Sequence, residues 1–141
     1  MPANETQVVR VLLIEDDDND RLIAARHLAG SAADGTVFAL EYARSLGDGL
    51  ERLARGNLDV VLLDLSLPGA DRGDVVSRVA ARAPRVPVIV LSGHEEADAI
   101  LSAVRQGARD FLVKSRTERS SLREAILRQV AWRRALEASK R

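Results

Sequence analysis

The chain has 141 residues, 21 basic and 21 acidic, which is room for one domain with its own core and no net charge. No global field therefore draws it to nucleic acid or to an anionic membrane. The absence of cysteine excludes disulfides and thiolate chemistry and fits a cytoplasmic protein, and no apolar run approaches the ~18 residues of a membrane span.

Residues 1–8 are polar at their start, with no basic and apolar leader, and are expected to be a short lead without a signal peptide. Val8 to Ile14 is a near-continuous apolar run rich in β-branched residues, and it breaks into Glu15, Asp16, Asp17 and Asp18. Leu22, Ala25 and Ala29 then recur at helical spacing up to Gly30. Phe38, Leu40 and Tyr42 alternate with Ala39 and Glu41, a period of two that predicts an edge strand with one wetter face. Leu46, Leu50 and Leu53 form a second helical stripe, closed by Gly56. The run Val60 to Leu65 carries Asp64, and Val76, Val79, Ala80 and Ala83 make a third stripe before Pro84. Val86 to Leu91 precedes Ser92, and Ala97, Ile100, Leu101 and Val104 form a fourth stripe before Gly107. The short run Phe111 to Val113 is followed by Lys114.

Runs that are apolar throughout are what strands covered on both faces show. Strands alternating with helices argue an α/β fold with a parallel sheet and right-handed crossovers. From about Glu118 to Lys140 neither Gly nor Pro occurs, so the last helix is longer than the others. Along it Leu122, Ala125, Gln129, Trp132, Leu136 and Ser139 follow steps of three and four. The early members can pack on the sheet, while the later ones are either a seam for another helix, a second copy included, or a solvated tail. The segment is basic, but no reading head or aromatic platform accompanies it, so direct nucleic-acid binding is not expected.

In an open parallel sheet the ligand site lies outside the carboxyl ends of the strands. Glu15, Asp16, Asp64, Ser92 and Lys114 all stand at such ends. Crowded carboxylates call for a cation, and Mg²⁺ takes oxygen ligands. Helix capping competes for the same acids. Capping is assigned to Asp18 or Asn19 and metal binding to Glu15 and Asp16. Asp64 closes the most apolar strand and suits a nucleophile towards phosphorus better than a structural carboxylate. A hydroxyl at Ser92 and an ammonium at Lys114 supply donors and charge for phosphoryl transfer, and Asp64 is the natural partner of Lys114. His27, inside a helix, and His94 are read as bystanders.

The stretches Val11–Asp17, Asp59–Gly69 (with Asp64, Pro68 and Gly69), Pro87–Gly93 and Gly107–Lys114 together resemble the receiver domain of bacterial two-component response regulators. The resemblance covers about Val9 to Gln129. It implies a flavodoxin-like, doubly wound five-stranded sheet of order 2-1-3-4-5 with five helices, the last extended. It places a receiver domain at 9–129, with 130–141 a helical extension that links to an output domain or forms a dimerisation seam. It implies that Asp64 accepts a phosphoryl group from a sensor histidine kinase or phosphotransfer protein. Mg²⁺ would be bound by Asp16, Asp64 and the backbone carbonyl of Ser66, with Glu15 acting through water. Ser92 and Phe111 would be the switch pair, and Lys114 would bridge to the phosphate. The change would be read on the fourth helix, fifth strand and fifth helix by an output domain or effector.

Ser115 departs from the proline that usually follows the lysine, where a cis bond before a non-proline residue would cost ~3 kcal/mol. No output domain is visible, so the chain is read as a stand-alone regulator or as part of a longer protein, the long helix favouring the second. A phosphatase would carry a second Asp where Ser66 stands. A flavodoxin-like cofactor module would need a phosphate cradle in place of the acidic run at residues 15–18. A degenerate receiver acting as an unphosphorylated interaction module is the remaining alternative.

Overall fold

Segments without polar alternation leave neither face for water, and each apolar run becomes a strand of a single sheet in the computed structural model, which describes residues 7–67, 74–93 and 97–139. The strands are β1 (Val8–Ile14), β2 (Val37–Ala43), β3 (Val60–Asp64), β4 (Val88–Ser92) and β5 (Asp110–Val113). All pair in parallel, in the order β2-β1-β3-β4-β5. Five helices connect and follow them: α1 (Asp18–Leu28), α2 (Leu46–Ala54), α3 (Val75–Arg82), α4 (Ala97–Arg105) and α5 (Arg119–Ser139). The order 2-1-3-4-5, the edge position of β2 and the long last helix are as expected. Pro68, Gly69 and His94 lie outside the described residues.

The sheet is covered on both sides. Leu12, Ile14, Val61, Leu63, Val88 and Val90 meet Leu53 of α2, Val76 and Val79 of α3 and Ala103 of α4. On the opposite face Val11, Leu13, Val60, Leu62, Ile89 and Leu91 meet Ala24 and Leu28 of α1 and Leu122, Ala125 and Ile126 of α5. Every residue of β3 and β4 is buried. Each such Val, Ile or Leu contributes roughly 1.5–3 kcal/mol. Helix stops fall where glycine was noted: Gly30 and Gly56 each adopt φ 74° and Gly107 φ 115°, values other side chains resist.

The structure corrects several expectations. β4 ends on Ser92 itself rather than on Leu91, while β3 ends on Asp64 as expected, so both polar residues belong to the ladder. In α1 the inward stripe is Ala24 and Leu28, whereas Leu22 is 52% exposed. Its face is set by Asp20, which shares the four-residue spacing with Ala24 and Leu28 and is held inward by Lys114. In α4 the small Ala103 faces the sheet, and Leu101 (48%) and Val104 (53%) lie on the outer side. The cap of α1 is Asp17, not Asp18 or Asn19.

α5 buries Leu122, Ala125, Ile126, Gln129 and Val130, after which Trp132 and Leu136 are exposed. Its C-terminal half is tied to the body by Arg133, which donates to the Leu58 carbonyl at 2.9 Å, and by the Arg109 guanidinium 3.7 Å above the Trp132 ring. No cis peptide occurs among the described residues, so Lys114–Ser115 is trans and opens a 3₁₀ turn, Lys114–Arg116. Among them, too, no helix is long and apolar enough to cross a membrane.

Candidate functional site

The ends of β1, β3, β4 and β5 deliver the site residues to one crevice. Asp64, the last residue of β3, is 0% exposed. Its Oδ1 accepts from the Ser66 backbone N–H at 3.0 Å and from Ser66 Oγ at 2.7 Å, and is ion-paired with Lys114 Nζ at 3.0 Å. Ser66 Oγ also lies 2.9 Å from Oδ2. So many donors hold the carboxylate in one orientation. Glu15, just past β1, is 2% exposed; it accepts from the Asp17 N–H at 3.2 Å and from Lys114 Nζ at 3.0 Å. Asp16 is exposed, and the carboxylates of Glu15, Asp16 and Asp64 offer oxygens within 4.8 Å of one another.

Lys114 is the countercharge. Beyond Glu15 and Asp64 it reaches Asp20 Oδ2 at 2.7 Å, the shortest of its three contacts. Burial opposes the charge on Lys114, but its bonds to Asp20, Glu15 and Asp64 outweigh that and raise its pKa above the ordinary lysine value. Burial pushes the Glu15 carboxyl up to about 7, helped by its hydrogen bond with Asp64. Burial also opposes charge on Asp64, but its bonds to Glu15 and Ser66 and the Lys114 ammonium hold it below the usual carboxylate range. The two carboxyls are thus pushed in opposite directions, Glu15 towards its protonated form and Asp64 towards its charged one. An all-carboxylate oxygen set carrying more negative charge than one ammonium offsets fits a hard divalent cation.

Ser92 is buried at the end of β4, in register with Val113 of β5. Phe111 is half-buried in β5 and packs against the α2–α3–α4 side of the core. The structure therefore brings Glu15, Asp16, Asp64 and Lys114 together, as expected, with Ser66 against the Asp64 carboxylate through both its N–H and its hydroxyl. His27 is half-buried and lines a cavity of about 270 Å³ between α1 and the start of α5, with Ile23, Asp20, Lys114 and Thr117. Sequence reasoning missed Asp20 as a partner of Lys114 and Asp17 as the cap. No local spacing marked either, since acids at 15–18 and at 20 all stand near the start of the helix.

Residues 11–127 match the family described as the response regulator receiver domain. The chain belongs to that family. The DNA-binding transcriptional regulator NtrC of Escherichia coli K12 is 36% identical over 104 residues, which covers 74% of this chain and 21% of that protein. The swarming motility regulation protein RssB of Serratia marcescens is 32% identical over 108 residues, 75% of this chain and 46% of that protein. This receiver domain thus spans about a fifth of the length of NtrC. A crystal structure of a response regulator receiver domain protein from Clostridium thermocellum aligns with a TM-score of 0.76 and 25% identity, covering 91% of this chain and 98% of that one. The signal receiver domain of an HD domain-containing protein from Pseudomonas fluorescens Pf-5 shares the fold at a TM-score of 0.78 and 20% identity, over 92% and 99% of the two chains. The flavodoxin-like fold and the place of this receiver domain in two-component signalling follow, and nothing favours the degenerate alternative: the acidic set and the lysine stand together.

Proposed function

We propose that Asp64 accepts a phosphoryl group from a phosphohistidine on a sensor histidine kinase or phosphotransfer protein, in a Mg²⁺-dependent reaction. The observation that carries the reading is a fully buried carboxylate at a strand end, held by Ser66 and Lys114 beside two further carboxylates. An Asp64 oxygen attacks phosphorus, the P–N bond to the donor imidazole breaks, and an acyl phosphate forms. Glu15, Asp16, Asp64 and the Ser66 backbone carbonyl would hold Mg²⁺, which when bound neutralises charge on the carboxylates and the phosphoryl oxygens. Lys114 donates to a phosphoryl oxygen and Ser92 Oγ to another, and Phe111 follows Ser92 inward. The exposed Leu101 and Val104 of α4 support a readout face built from α4, β5 and α5.

The domain modifies only itself, from small phosphodonors as well as from protein partners, and hydrolyses its own acyl phosphate. Its cysteine-free composition fits a cytoplasmic setting. Residues 130–141 extend the receiver domain of residues 9–129 towards an output domain, an effector or a second copy. Intact-protein mass after incubation with acetyl phosphate tests the reading. One Mg²⁺-dependent phosphoryl adduct is expected, stable to acid, labile to hydroxylamine and absent from Asp64→Asn. An adduct of full stoichiometry in that variant would overturn it.

A further inference from the structure

We propose that Asp20 is a positioning residue that withholds Lys114 from an arriving phosphoryl group and so sets the rate of transfer; the inference rests on the reading of Asp64 as phosphoacceptor. Lys114 Nζ donates to Asp20 at 2.7 Å and to Glu15 at 3.0 Å and is ion-paired with Asp64 Oδ1 at 3.0 Å, so three carboxylates hold the ammonium in place. To reach a phosphoryl oxygen beyond the Asp64 carboxylate, Lys114 must loosen one of these contacts.

The three are not equal. Glu15 is 2% exposed, so water cannot replace the lysine on it, and Asp64, 0% exposed, is the group that carries the phosphoryl oxygens the lysine moves towards. Both also belong to the carboxylate triad with Asp16, whereas Asp20 does not. Asp20 sits on the first turn of α1 with 34% of its side chain exposed, on the rim of the cavity between α1 and the start of α5. Its carboxylate is the one that water can take over on release. Lys114 therefore exchanges Asp20 for the phosphoryl oxygen, and the strength of the Asp20 bond is charged against the transfer step. The same exchange frees the first turn of α1 from the turn that follows β5.

The test is the rate of phosphorylation of the full chain by acetyl phosphate at saturating Mg²⁺, followed by quenched intact-protein mass across donor concentrations. Asp20→Asn keeps the shape and weakens the bond, and Asp20→Ser deletes it. Each is expected to raise the maximal rate about three- to tenfold, the weight of one partly exposed charge-assisted hydrogen bond. Asp20→Glu is expected to restore the wild-type maximal rate. Asp18→Asn removes the same charge without touching Lys114, and its maximal rate is expected to stay within about twofold of wild type. Lowering a general repulsion would act instead on the half-saturating donor concentration. A maximal rate in Asp20→Asn and Asp20→Ser that is unchanged or slower, while Asp64→Asn loses its label, would overturn this inference alone. Labelling that survives Asp64→Asn would overturn the phosphoacceptor reading and the inference with it.

Discussion

Lys114 is the one cation among the described residues that faces Asp64 and Glu15, and both carboxylates are buried. Lys114→Met would leave them without countercharge, which is expected to cost about 3 kcal/mol. Saturating Mg²⁺ is expected to return part of that loss, and an unchanged urea midpoint in the metal-free variant would contradict the account. Glu15 carries the pH dependence. Its carboxyl titrates near 7 when folded against an ordinary 4.5, so the folded state holds that proton more tightly. The stability this contributes is fully present below about pH 4.5 and is lost as pH rises to 7, whereas the depressed Asp64 contributes stability that is lost only in acid, below its ordinary 3.8. Without metal, stability is therefore expected to fall between pH 5 and 7, and Glu15→Gln to flatten that slope; an equal slope in both proteins would remove Glu15 from this role. Glu15, Asp64 and Lys114 were legible in the sequence because each closes an apolar run whose end the topology turns into a site. Asp17 and Asp20 were not, because a crowd of acids broken only by Asn19 does not reveal where the helix starts or which acid faces inward.

Among the elements, strands read more truly than helix faces. A run apolar at every position is a strand in any register, but a helix with few apolar residues leaves its azimuth to its neighbours. α1 is turned by Asp20 towards Lys114, and α4 presents its smallest residue, Ala103, to the sheet, so larger apolar side chains of both helices face out. Gly49 in α2 shows a constraint that periodicity does not carry. A Cβ there would sit 2.5 Å from Ile14 Cδ1 and 2.8 Å from Cγ1, and Ile14 is fully buried in β1. Gly49→Ala gains up to about 1 kcal/mol of helix propensity. It forces overpacking that costs about 1–3 kcal/mol. A net loss in thermal stability is expected, and a higher melting temperature would show that α2 shifts freely. The far end of α5 follows the same rule: its helical state was plain from the lack of Gly and Pro, while the Arg133 bond to Leu58 and the Arg109–Trp132 stacking are long-range contacts that local spacing does not encode.

For the whole molecule, the strand order places β1 and β4 on either side of β3, so Asp64 is flanked by the acids after one and the hydroxyl of the other. β5 then brings Lys114 to the same edge, 99 residues from Glu15 in sequence and 3.0 Å from it in space. Parallel connections are the reason: each crossover returns the chain to the same end, so residues that close strands are gathered without further design. On the proposed function, the gathered residues direct phosphoryl transfer to one carboxylate among several. After incubation with acetyl phosphate and Mg²⁺, borohydride reduction converts an aspartyl phosphate to homoserine, which peptide mapping locates. Homoserine at position 64 alone is expected. Homoserine at 16 or 20, or none anywhere in a protein that carries the adduct, would contradict it.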